Sequence, residues 1–391
     1  MNVYIPRIIE ESIKVSVKKT PVIALTGPRQ SGKTTLAKHL FPDYLYANLE
    51  FPDTRQFAEQ DPRGFLNQSK TMIIDEIQRI PELFSYIQGL VDEDNHRKYI
   101  LTGSHNLSLQ KNIAQSLAGR VTLFTLLPFS IEELRLAKLP LDDLLKKIFD
   151  GWYPRVVANG SDPREWYQSY IQTYLERDVR DMSAIHMMER FYTFLRVLAL
   201  RAGSILNYAQ IAKEVGTAPN TIRDWISVLE SSYIVYRLKP YHANIKKRLV
   251  KSPKIYFYDT GLLCSLLGLT DPQELPSYPH FGFLFENFIV SEFIKRQSTG
   301  NVKQDVYFYR DQNGNEVDLI LAANDTLHLY EIKSSKAIPH DAVRGLIFFH
   351  EQVHPAASQN IIYGADTSQT VETRRMISWR DCGNLRINSH E

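Results

Sequence analysis

A glycine-rich loop between an apolar strand and a helix constrains the fold of this chain more than any other feature. An apolar run, Val22–Leu25, precedes the loop, and a helix-forming run, Thr35–Leu40, follows it. Backbone N–H groups of such a loop wrap phosphate groups at a helix N-terminus, while Lys33 reaches the β and γ oxygens and Thr34 ligates Mg²⁺. The pattern G-x-x-x-x-G-K-T therefore predicts a nucleotide-phosphate site. Its predicted residues are Gly27, Pro28, Arg29, Gln30, Ser31, Gly32, Lys33, Thr34 and Thr35.

A second motif lies where the apolar run Met72–Ile74 ends in Asp75 and Glu76. A buried parallel strand delivers such acids to the carboxyl edge of its sheet, where ligands bind. There Asp75 would hold Mg²⁺, directly or through water, and Glu76 would polarise the water that attacks the phosphate. Acid pairs also end strands in ordinary solvated loops, so this interpretation depends on the glycine-rich loop.

Length and composition narrow the class of protein. A chain of 391 residues is too long for a single core, which indicates two or three domains. A formal net charge of +2 is nearly neutral, so any affinity for nucleic acid must come from local patches. Cys264 and Cys382 are the only cysteines, which excludes a disulfide framework and a cysteine-based zinc site.

Two further observations concern the compartment. The N-terminal segment carries charged residues early, at Arg7, Glu10 and Glu11. It therefore lacks the uninterrupted apolar region of a secretory signal peptide. No apolar stretch of the sequence approaches the roughly 20 residues that a membrane helix needs. We therefore expect a cytoplasmic protein that does not enter a membrane.

Strand-like and helical runs alternate from about residue 20 to residue 127, which predicts an α/β fold with a parallel sheet. Apolar residues at helical spacing from Pro81 to Val91 predict an amphipathic crossover helix between the third and fourth strands. The five predicted strands are Val22–Leu25, Tyr44–Leu49, Met72–Ile74, Tyr99–Leu101 and Val121–Leu126.

Two more polar residues follow this pattern. Ser104 comes after the fourth strand, where it would lie between the acids and the γ-phosphate or would cap the helix predicted over Leu107–Ala118. Arg120 follows that helix and directly precedes the fifth strand. It is either an arginine that stabilises charge on a transferred phosphoryl group or a surface residue paired with an acid.

These motifs together resemble the AAA+ superfamily of ATPases. In that superfamily the arginine before the fifth strand is offered to the ATP of a neighbouring subunit, which implies that Arg120 acts in a homo-oligomer such as a ring. The resemblance also implies ATP with Mg²⁺, and the guanine-selective pattern N-K-x-D is absent from the strand ends.

Within that superfamily the chain resembles prokaryotic ATPases that carry a C-terminal winged helix and a restriction-endonuclease-like domain, and the resemblance runs nearly to the end of the chain. The lid motif G-G-x-P departs from the pattern, because this chain has Gly151-Trp152-Tyr153-Pro154 and lacks the second glycine. The matching motifs are Gly27-Pro28-Arg29-Gln30, Asp75-Glu76-Ile77-Gln78, Gly103-Ser104, Gly119-Arg120 and Pro128-Phe129-Ser130.

The helical pattern of residues 129–195 predicts a lid behind the nucleotide, with Arg155, Arg177 and Arg180 as candidates to sense it. Residues 206–233 then predict a helix-turn-helix in which Arg223 faces a groove. A cationic segment follows where a wing would touch phosphates, which favours DNA binding, although winged helices also bind proteins. Its members are Lys246, Lys247, Arg248, Lys251 and Lys254.

The last third of the chain offers a second chemical constellation. Glu286 lies in a helical stretch, Asp318 follows the start of a strand, and Glu331 and Lys333 close the partner strand after a turn at residues 324–325. Three acids and a lysine in this arrangement are what a Mg²⁺-dependent phosphodiesterase needs, and they resemble the restriction-endonuclease-like nucleases. Such a domain cuts DNA or only binds it, and Glu-x-Lys is also a common salt-bridged surface pair.

The predicted domains are an ATPase core at 1–128, a helical lid at 129–195, a winged helix-turn-helix at 196–270 and a restriction-endonuclease-like α/β domain at 271–391. The favoured function is an oligomeric ATPase that acts on duplex or branched DNA, with Lys33, Glu76 and Arg120 in catalysis. The alternatives are an ATP-regulated Mg²⁺-dependent nuclease and a nucleotide switch that controls a protein partner.

Overall fold

The structure is a computed structural model, and it describes residues 4–104, 116–175, 188–241, 252–299, 304–323, 326–355, 357–371 and 374–385. The described strands β1 to β13 are Val22–Thr26, Leu45–Asn48, Thr71–Asp75, Lys98–Thr102, Val121–Thr125, Val235–Pro240, Lys254–Phe257, Asp305–Arg310, Glu316–Ala323, Thr326–Lys333, Ser358–Tyr363, Gln369–Val371 and Arg374–Ser378. The described helices α1 to α15 are Glu10–Lys19, Lys33–Leu40, Pro52–Gln60, Pro62–Leu66, Leu83–Glu93, Ile131–Leu136, Leu144–Asp150, Pro154–Val157, Pro163–Tyr170, Met188–Ala199, Tyr208–Val215, Pro219–Ser231, Thr260–Leu266, Phe281–Ser298 and Arg344–Gln352.

The first sheet contains the five predicted strands in the spatial order β2-β3-β4-β1-β5, and every pairing in it is parallel. The prediction of a parallel α/β core is therefore confirmed. The crossover helix is confirmed as α5, although it begins at Leu83 rather than at Pro81. The helix predicted over Leu107–Ala118 lies largely outside the described residues.

Both faces of this sheet are covered, which explains the unbroken apolar runs in the sequence. Val22 and Ala24 of β1 pack into one core with α5, whereas Ile23 and Leu25 pack into a second core with α1 and α2. Because successive side chains of a strand point to opposite faces, an apolar run is required when both faces are buried.

The lid, the helices after it and the C-terminal region share one large core. Trp152, which follows α7, stacks on Phe288 of α14 with the ring centroids 5.5 Å apart. The helix-turn-helix prediction is matched by α11 and α12, which are joined by residues 216–218 and are followed by β6 and β7. Ile211, Val215 and Ile226 are buried as the apolar pattern predicts.

The second sheet has the order β12-β13-β11-β10-β9-β8-β6-β7. It therefore joins β6 and β7, which follow the helix-turn-helix, to the C-terminal strands, through a short parallel pairing of β6 with β8. The predicted strand, hairpin and strand correspond to β9 and β10, which pair antiparallel. Helix α14 packs on one face of this sheet and α15 on the other.

Candidate nucleotide site

The glycine-rich loop follows β1 and approaches the neighbouring chain closely. A Cβ atom on Gly27 would lie 2.1 Å from the carbonyl oxygen of Leu126, so a side chain has no room there. Gly32 precedes the first turn of α2 with a φ of 96°, a left-handed conformation that favours glycine. Both glycines of the motif are thus required by the backbone, and α2 begins at Lys33 with its N–H groups at the loop.

The polar groups of this loop fit a phosphate ligand. Lys33 is buried, and its Nζ donates hydrogen bonds to the carbonyl oxygens of Gly27 at 3.0 Å and Pro28 at 2.8 Å. The hydroxyl of Ser31 is fully buried and has no hydrogen-bond partner among the described residues. A buried hydroxyl without a partner is costly, so a ligand with oxygen acceptors would satisfy it. The loop therefore suits the phosphates of a nucleotide.

Asp75, at the end of β3, accepts hydrogen bonds from hydroxyl groups on three other elements. Its Oδ2 lies 2.8 Å from Thr34 Oγ1 and 2.9 Å from Tyr46 Oη, and its Oδ1 accepts from Thr102. Burial, together with the Asp75 carboxylate, raises the pKa of Tyr46 above its ordinary value, so Tyr46 stays a donor. A carboxylate beside a threonine hydroxyl provides the oxygen ligands that Mg²⁺ prefers.

Glu76 follows Asp75 in the left-handed region, with φ 57° and ψ 44°, which is uncommon for a residue with a side chain. Its Oε2 accepts a hydrogen bond from Gln78 Nε2. The unusual backbone directs Glu76 into a cleft above the loop. This position suits a carboxylate that orients an attacking water, and Gln78 is the residue that holds it.

The cleft has a volume of about 510 Å³ and runs between the loop, the N-terminal segment and the lid. Its lining contains the loop residues from Arg29 to Thr35 together with Glu76, whereas Gly27 and Pro28 of the predicted phosphate-binding set are not part of it. The lining also includes Tyr4, Arg7, Phe129, Pro154 and Arg155.

Of the three lid arginines considered as nucleotide sensors, Arg155 lines the cleft. Arg177 and Arg180 lie outside the described residues. Pro154 of the lid motif faces Gly32, because a Cβ on that glycine would meet the Pro154 ring at 3.9 Å. The lid therefore reaches the phosphate loop despite the missing second glycine.

Ser104 and Arg120 lie away from the cleft lining. Ser104 is buried just beyond the end of β4, and Thr102 of the same strand is the residue that contacts Asp75. Arg120 lies before β5, at the edge of the sheet opposite the loop, and its Nε and Nη2 donate to Asp92 of α5 at 2.6 and 2.8 Å. Arg120 does not reach the nucleotide site of its own chain, and its role at a neighbour's site stays a prediction.

The second predicted metal site is organised around a lysine. Lys254, the first residue of β7, is 3% exposed, and its Nζ lies 2.9 Å from Glu286 Oε1 and 2.7 Å from Glu316 Oε1. Burial lowers the pKa of Lys254, but the negative charges of Glu286, Asp318 and Glu316 raise it by more. The pKa of Lys254 is therefore above its ordinary value, and the lysine stays charged. The expectation that Lys254 contacts phosphates as part of a wing is wrong, because its charge is neutralised inside the protein.

The remaining acids of this group are also engaged. Asp318 is buried and accepts a hydrogen bond from the backbone N–H of Ile332 at 2.8 Å, while Glu331 pairs with Lys333 at 2.6 Å. Burial, followed by the neighbouring Glu331 and Glu286, raises the pKa of Asp318 well above its ordinary range. Within the part of the chain that the structure describes, no three His, Cys, Asp or Glu side chains are spaced to hold a metal ion. The acids of this group pair with lysines and a backbone N–H instead, and the Mg²⁺ site there stays a prediction.

The predicted DNA-contacting residues are only partly described. Arg223 is exposed on α12, with its guanidinium over the ring of Tyr208 at 5.2 Å. Lys246, Lys247, Arg248 and Lys251 lie outside the described residues. None of the helices within the described ranges combines the length and apolar character needed to cross a bilayer.

Sequence reasoning missed Tyr46, Thr102 and Arg7. Thr102 lies two residues before Ser104 in a strand that ends beside β3, so the adjacency of the strand ends could have indicated it. Arg7 is buried, and its guanidinium donates to the carbonyl oxygens of Ser31 at 3.1 Å and Leu127 at 2.6 Å and to Glu133 at 2.8 Å. No local signal marks Arg7, because its partners are remote in sequence.

Comparison with known proteins places this site in a family. The chain matches the family model of an AAA domain over residues 19–135 and two models of domains of unknown function, DUF8612 over residues 141–273 and DUF4143 over residues 281–382. The walker-type ATPase PABY2304 of Pyrococcus abyssi, a solved structure, gives a TM-score of 0.46 at 16% identity, over 67% of this chain and 96% of that one.

Two relatives are similar over most of their length. The uncharacterized protein MJ1544 of Methanocaldococcus jannaschii is 22% identical over 347 residues, which cover 81% of this chain and 75% of that protein. The uncharacterized protein Rv2008c of Mycobacterium tuberculosis is 32% identical over 330 residues, which cover 82% of this chain and 72% of that protein. The chain, with an AAA-like P-loop domain at its N-terminal side, therefore belongs to the same family as Rv2008c.

Proposed function

We propose that the protein hydrolyses ATP with Mg²⁺ and couples hydrolysis to action on DNA, duplex or branched. The observation that carries the ATPase part is the arrangement at the cleft: Thr34 and Asp75 are 2.8 Å apart, and Glu76 faces the cleft beside them. Phosphoryl transfer needs mainly positioning and charge stabilisation, and this site supplies both.

Each residue has a definite role in this proposal. Lys33 would leave the carbonyl oxygens of Gly27 and Pro28 and bind the β and γ oxygens, and Ser31 would donate its buried hydroxyl. Thr34 and Asp75 would hold Mg²⁺, which supplies positive charge to the phosphate oxygens when bound. Glu76 would orient the attacking water and take its proton.

The DNA part of the proposal is supported by α11 and α12, which form a helix, a short turn and a second helix with a solvent-exposed face. Asn220, Arg223 and Asp224 are exposed near the start of α12, where a recognition helix would meet a groove. The antiparallel pair of β6 and β7 follows these helices where a wing would lie, which supports a winged helix.

The oligomeric part of the proposal depends on Arg120. Its side chain is 35% exposed, it lies opposite the loop of its own chain, and both oxygens of Asp92 hold its guanidinium group. An arginine held in this way would complete the nucleotide site of an adjacent subunit in a ring, where it stabilises charge on the transferred group.

The test is the steady-state ATPase rate in Mg²⁺, alone and with single-stranded, duplex and four-way-junction DNA, with Lys33→Ala as the blank. We expect hydrolysis that one DNA form stimulates and that Lys33→Ala abolishes. Hydrolysis by the wild-type protein that no DNA changes would overturn the DNA part and favour a protein partner. The same DNA, monitored for cuts, tests the nuclease alternative.

Arg223→Ala tests the DNA surface separately. We expect weaker DNA binding. The slope of log binding constant against log salt concentration should fall in magnitude by about 1, since each phosphate contact releases counterions. Arg164→Ala is the matched control, because Arg164 is also exposed but lies on the lid beside Asp162. Equal DNA affinity of the Arg223 variant and the control would argue against this surface.

A further inference from the structure

Arg29 is a second cation in the glycine-rich loop, and it lies inside the nucleotide cleft. Arg29 is 9% exposed, and it lines the cleft together with Lys33, Thr34 and Glu76. The phosphates of a nucleotide in this cleft would meet two buried cations carried by one loop.

One of the contacts of Arg29, its ion pair with Glu50, is loose. Nη1 of Arg29 lies 3.9 Å from Oε1 of Glu50, and the same oxygen lies 3.7 Å from Nη2 of Arg79. The side chain of Glu50 is 43% exposed, and an ion pair of this length beside solvent is weak. A phosphate oxygen within hydrogen-bond distance is a stronger partner for a guanidinium group.

The chemistry of phosphoryl transfer suits a guanidinium at this place. Negative charge is spread over the equatorial oxygens of the transferred group, and a planar fork of N–H donors can bind two oxygens at once. The low exposure of Arg29 strengthens that attraction relative to a solvated arginine. Glu76, the residue suited to orient the water, lines the same cleft.

We propose that Arg29 is the charge-stabilising arginine of its own chain's nucleotide site, an inference that rests on the proposed ATP hydrolysis. The water oxygen bonds to the γ-phosphorus, and the bond from that phosphorus to the bridging oxygen breaks. ADP leaves with the electron pair, and the proton of the water passes to Glu76. Arg29 binds the equatorial oxygens during this step.

The experiment compares Arg29→Ala and Arg29→Lys with the wild-type full chain in Mg²⁺ and ATP. We expect kcat to fall at least about 100-fold in both variants, because a lysine is a point charge that cannot form the fork. KM and the affinity for ADP should change less than about fivefold, since the interaction belongs to the transition state. Binding of ADP with aluminium fluoride should be lost in both variants.

Arg79→Ala is the matched control. Arg79 shares Glu50 with Arg29 but is not part of the cleft lining, so its loss should change kcat less than about twofold. If Arg29 serves only to hold Glu50 in place, Arg79→Ala and Glu50→Gln will reproduce the loss, and that result would overturn the proposal.

Mixing subunits shows whether Arg29 acts on its own chain. Arg29→Ala mixed with Lys33→Ala should stay inactive, because neither chain contains a complete site. Recovery on mixing would mean that a neighbour supplies the arginine, which contradicts the proposal. Arg120→Ala mixed with Lys33→Ala is the comparison that should recover if Arg120 serves a neighbouring site.

The two proposals fail in different ways. A folded wild-type protein that does not hydrolyse ATP would overturn the proposed function, and the role of Arg29 with it. A wild-type protein that hydrolyses ATP while Arg29→Ala keeps kcat within about fivefold would overturn the role of Arg29 alone. Arg29→Lys preserves the charge next to Glu50, so a loss of activity in this variant at unchanged melting temperature separates catalysis from folding.

Discussion

Asp75 accepts hydrogen bonds from three elements, and this arrangement fixes the geometry around the loop before any ligand arrives. Thr34 comes from α2, Tyr46 from β2 and Thr102 from β4. All three donors are hydroxyl groups, and the bond to Thr34 orients the carboxylate toward the start of α2. A carboxylate oriented in this way needs little rearrangement when the nucleotide binds.

Glu76→Gln should separate binding from hydrolysis. The amide is nearly isosteric but cannot take a proton, so we expect the ATPase rate to fall at least about 100-fold. Nucleotide affinity, measured by titration with a fluorescent ATP analogue, should stay unchanged. Glu82→Gln is the matched control, because Glu82 is exposed and lies six residues away. This variant should hydrolyse ATP at the wild-type rate. An unaffected Glu76→Gln rate would exclude Glu76 as the base.

Among the secondary-structure elements, β7 has the most unexpected role. It pairs with β6 and thereby extends the C-terminal sheet, and its first residue, Lys254, contacts Glu286 of α14 and Glu316 of β9. One buried lysine therefore connects three elements. Hydrogen bonding by Tyr256 of the same strand to Glu286, at 2.5 Å, adds a second connection.

Lys254→Met should destabilise the protein. Removing one member of a buried ion pair leaves the other charge without a partner, which costs about 3 kcal/mol of unfolding free energy. Urea denaturation followed by circular dichroism measures this loss. Lys336→Met, at an exposed lysine 3.9 Å from Asp366, is the control and should unfold like the wild type.

A double variant then checks the cause of that loss. Lys254→Met combined with Glu286→Leu should recover part of the stability, because the second change removes an unpaired carboxylate. Additive losses in the two single variants would mean that the two residues do not interact energetically.

Helix α13 is tied to the lid by one carboxylate. Asp259 is buried, and it accepts hydrogen bonds from the N–H groups of Leu262 and Trp152, both at 2.8 Å. Asp259→Ala should lower the unfolding free energy by about 2 kcal/mol, because it removes a helix cap and leaves a buried donor without a partner. Asp162→Ala removes the exposed cap of α9 and should lower the unfolding free energy less. The melting temperatures of the two variants measure this difference. Equal shifts would contradict a role for burial.

Across the whole molecule, buried polar residues connect the nucleotide loop with the C-terminal region. Arg7 links Ser31 of the loop to Glu133 of α6. The N–H of Ile131, in the same helix, donates to Glu292 of α14 at 2.7 Å, and Lys295 donates to the carbonyl oxygen of Phe129 at 2.9 Å. These buried contacts connect the loop to α14 through α6 and the residues before it.

Nucleotide should therefore stabilise the whole chain against heat. A ligand at 100 times its Kd adds about 2.7 kcal/mol to the stability of the folded state. We expect a slowly hydrolysed ATP analogue with Mg²⁺ to raise the melting temperature of the wild type and to leave Lys33→Ala unchanged. Lys18→Ala, at an exposed lysine of α1, should respond like the wild type. A rise in the Lys33 variant would mean that the analogue binds elsewhere.

The amino-acid sequence by itself determined the parallel α/β core and the main residues of the loop. Those signals are local: the residues of the phosphate loop are contiguous between Thr26 and Thr35, and each buried strand appears as an apolar run. Asp75 and Glu76 were predictable because the carboxyl ends of parallel strands meet at one edge of a sheet.

Only the tertiary structure decided which charges meet. In the sequence, Lys254 belongs to a cationic segment, yet folding places it between two carboxylates. Arg29 faces the cleft, Arg7 reaches the loop from the N-terminal segment, and Thr102 contacts Asp75. The physical reason is that local sequence sets backbone conformation, whereas the environment of a charged side chain depends on residues that lie far away along the chain.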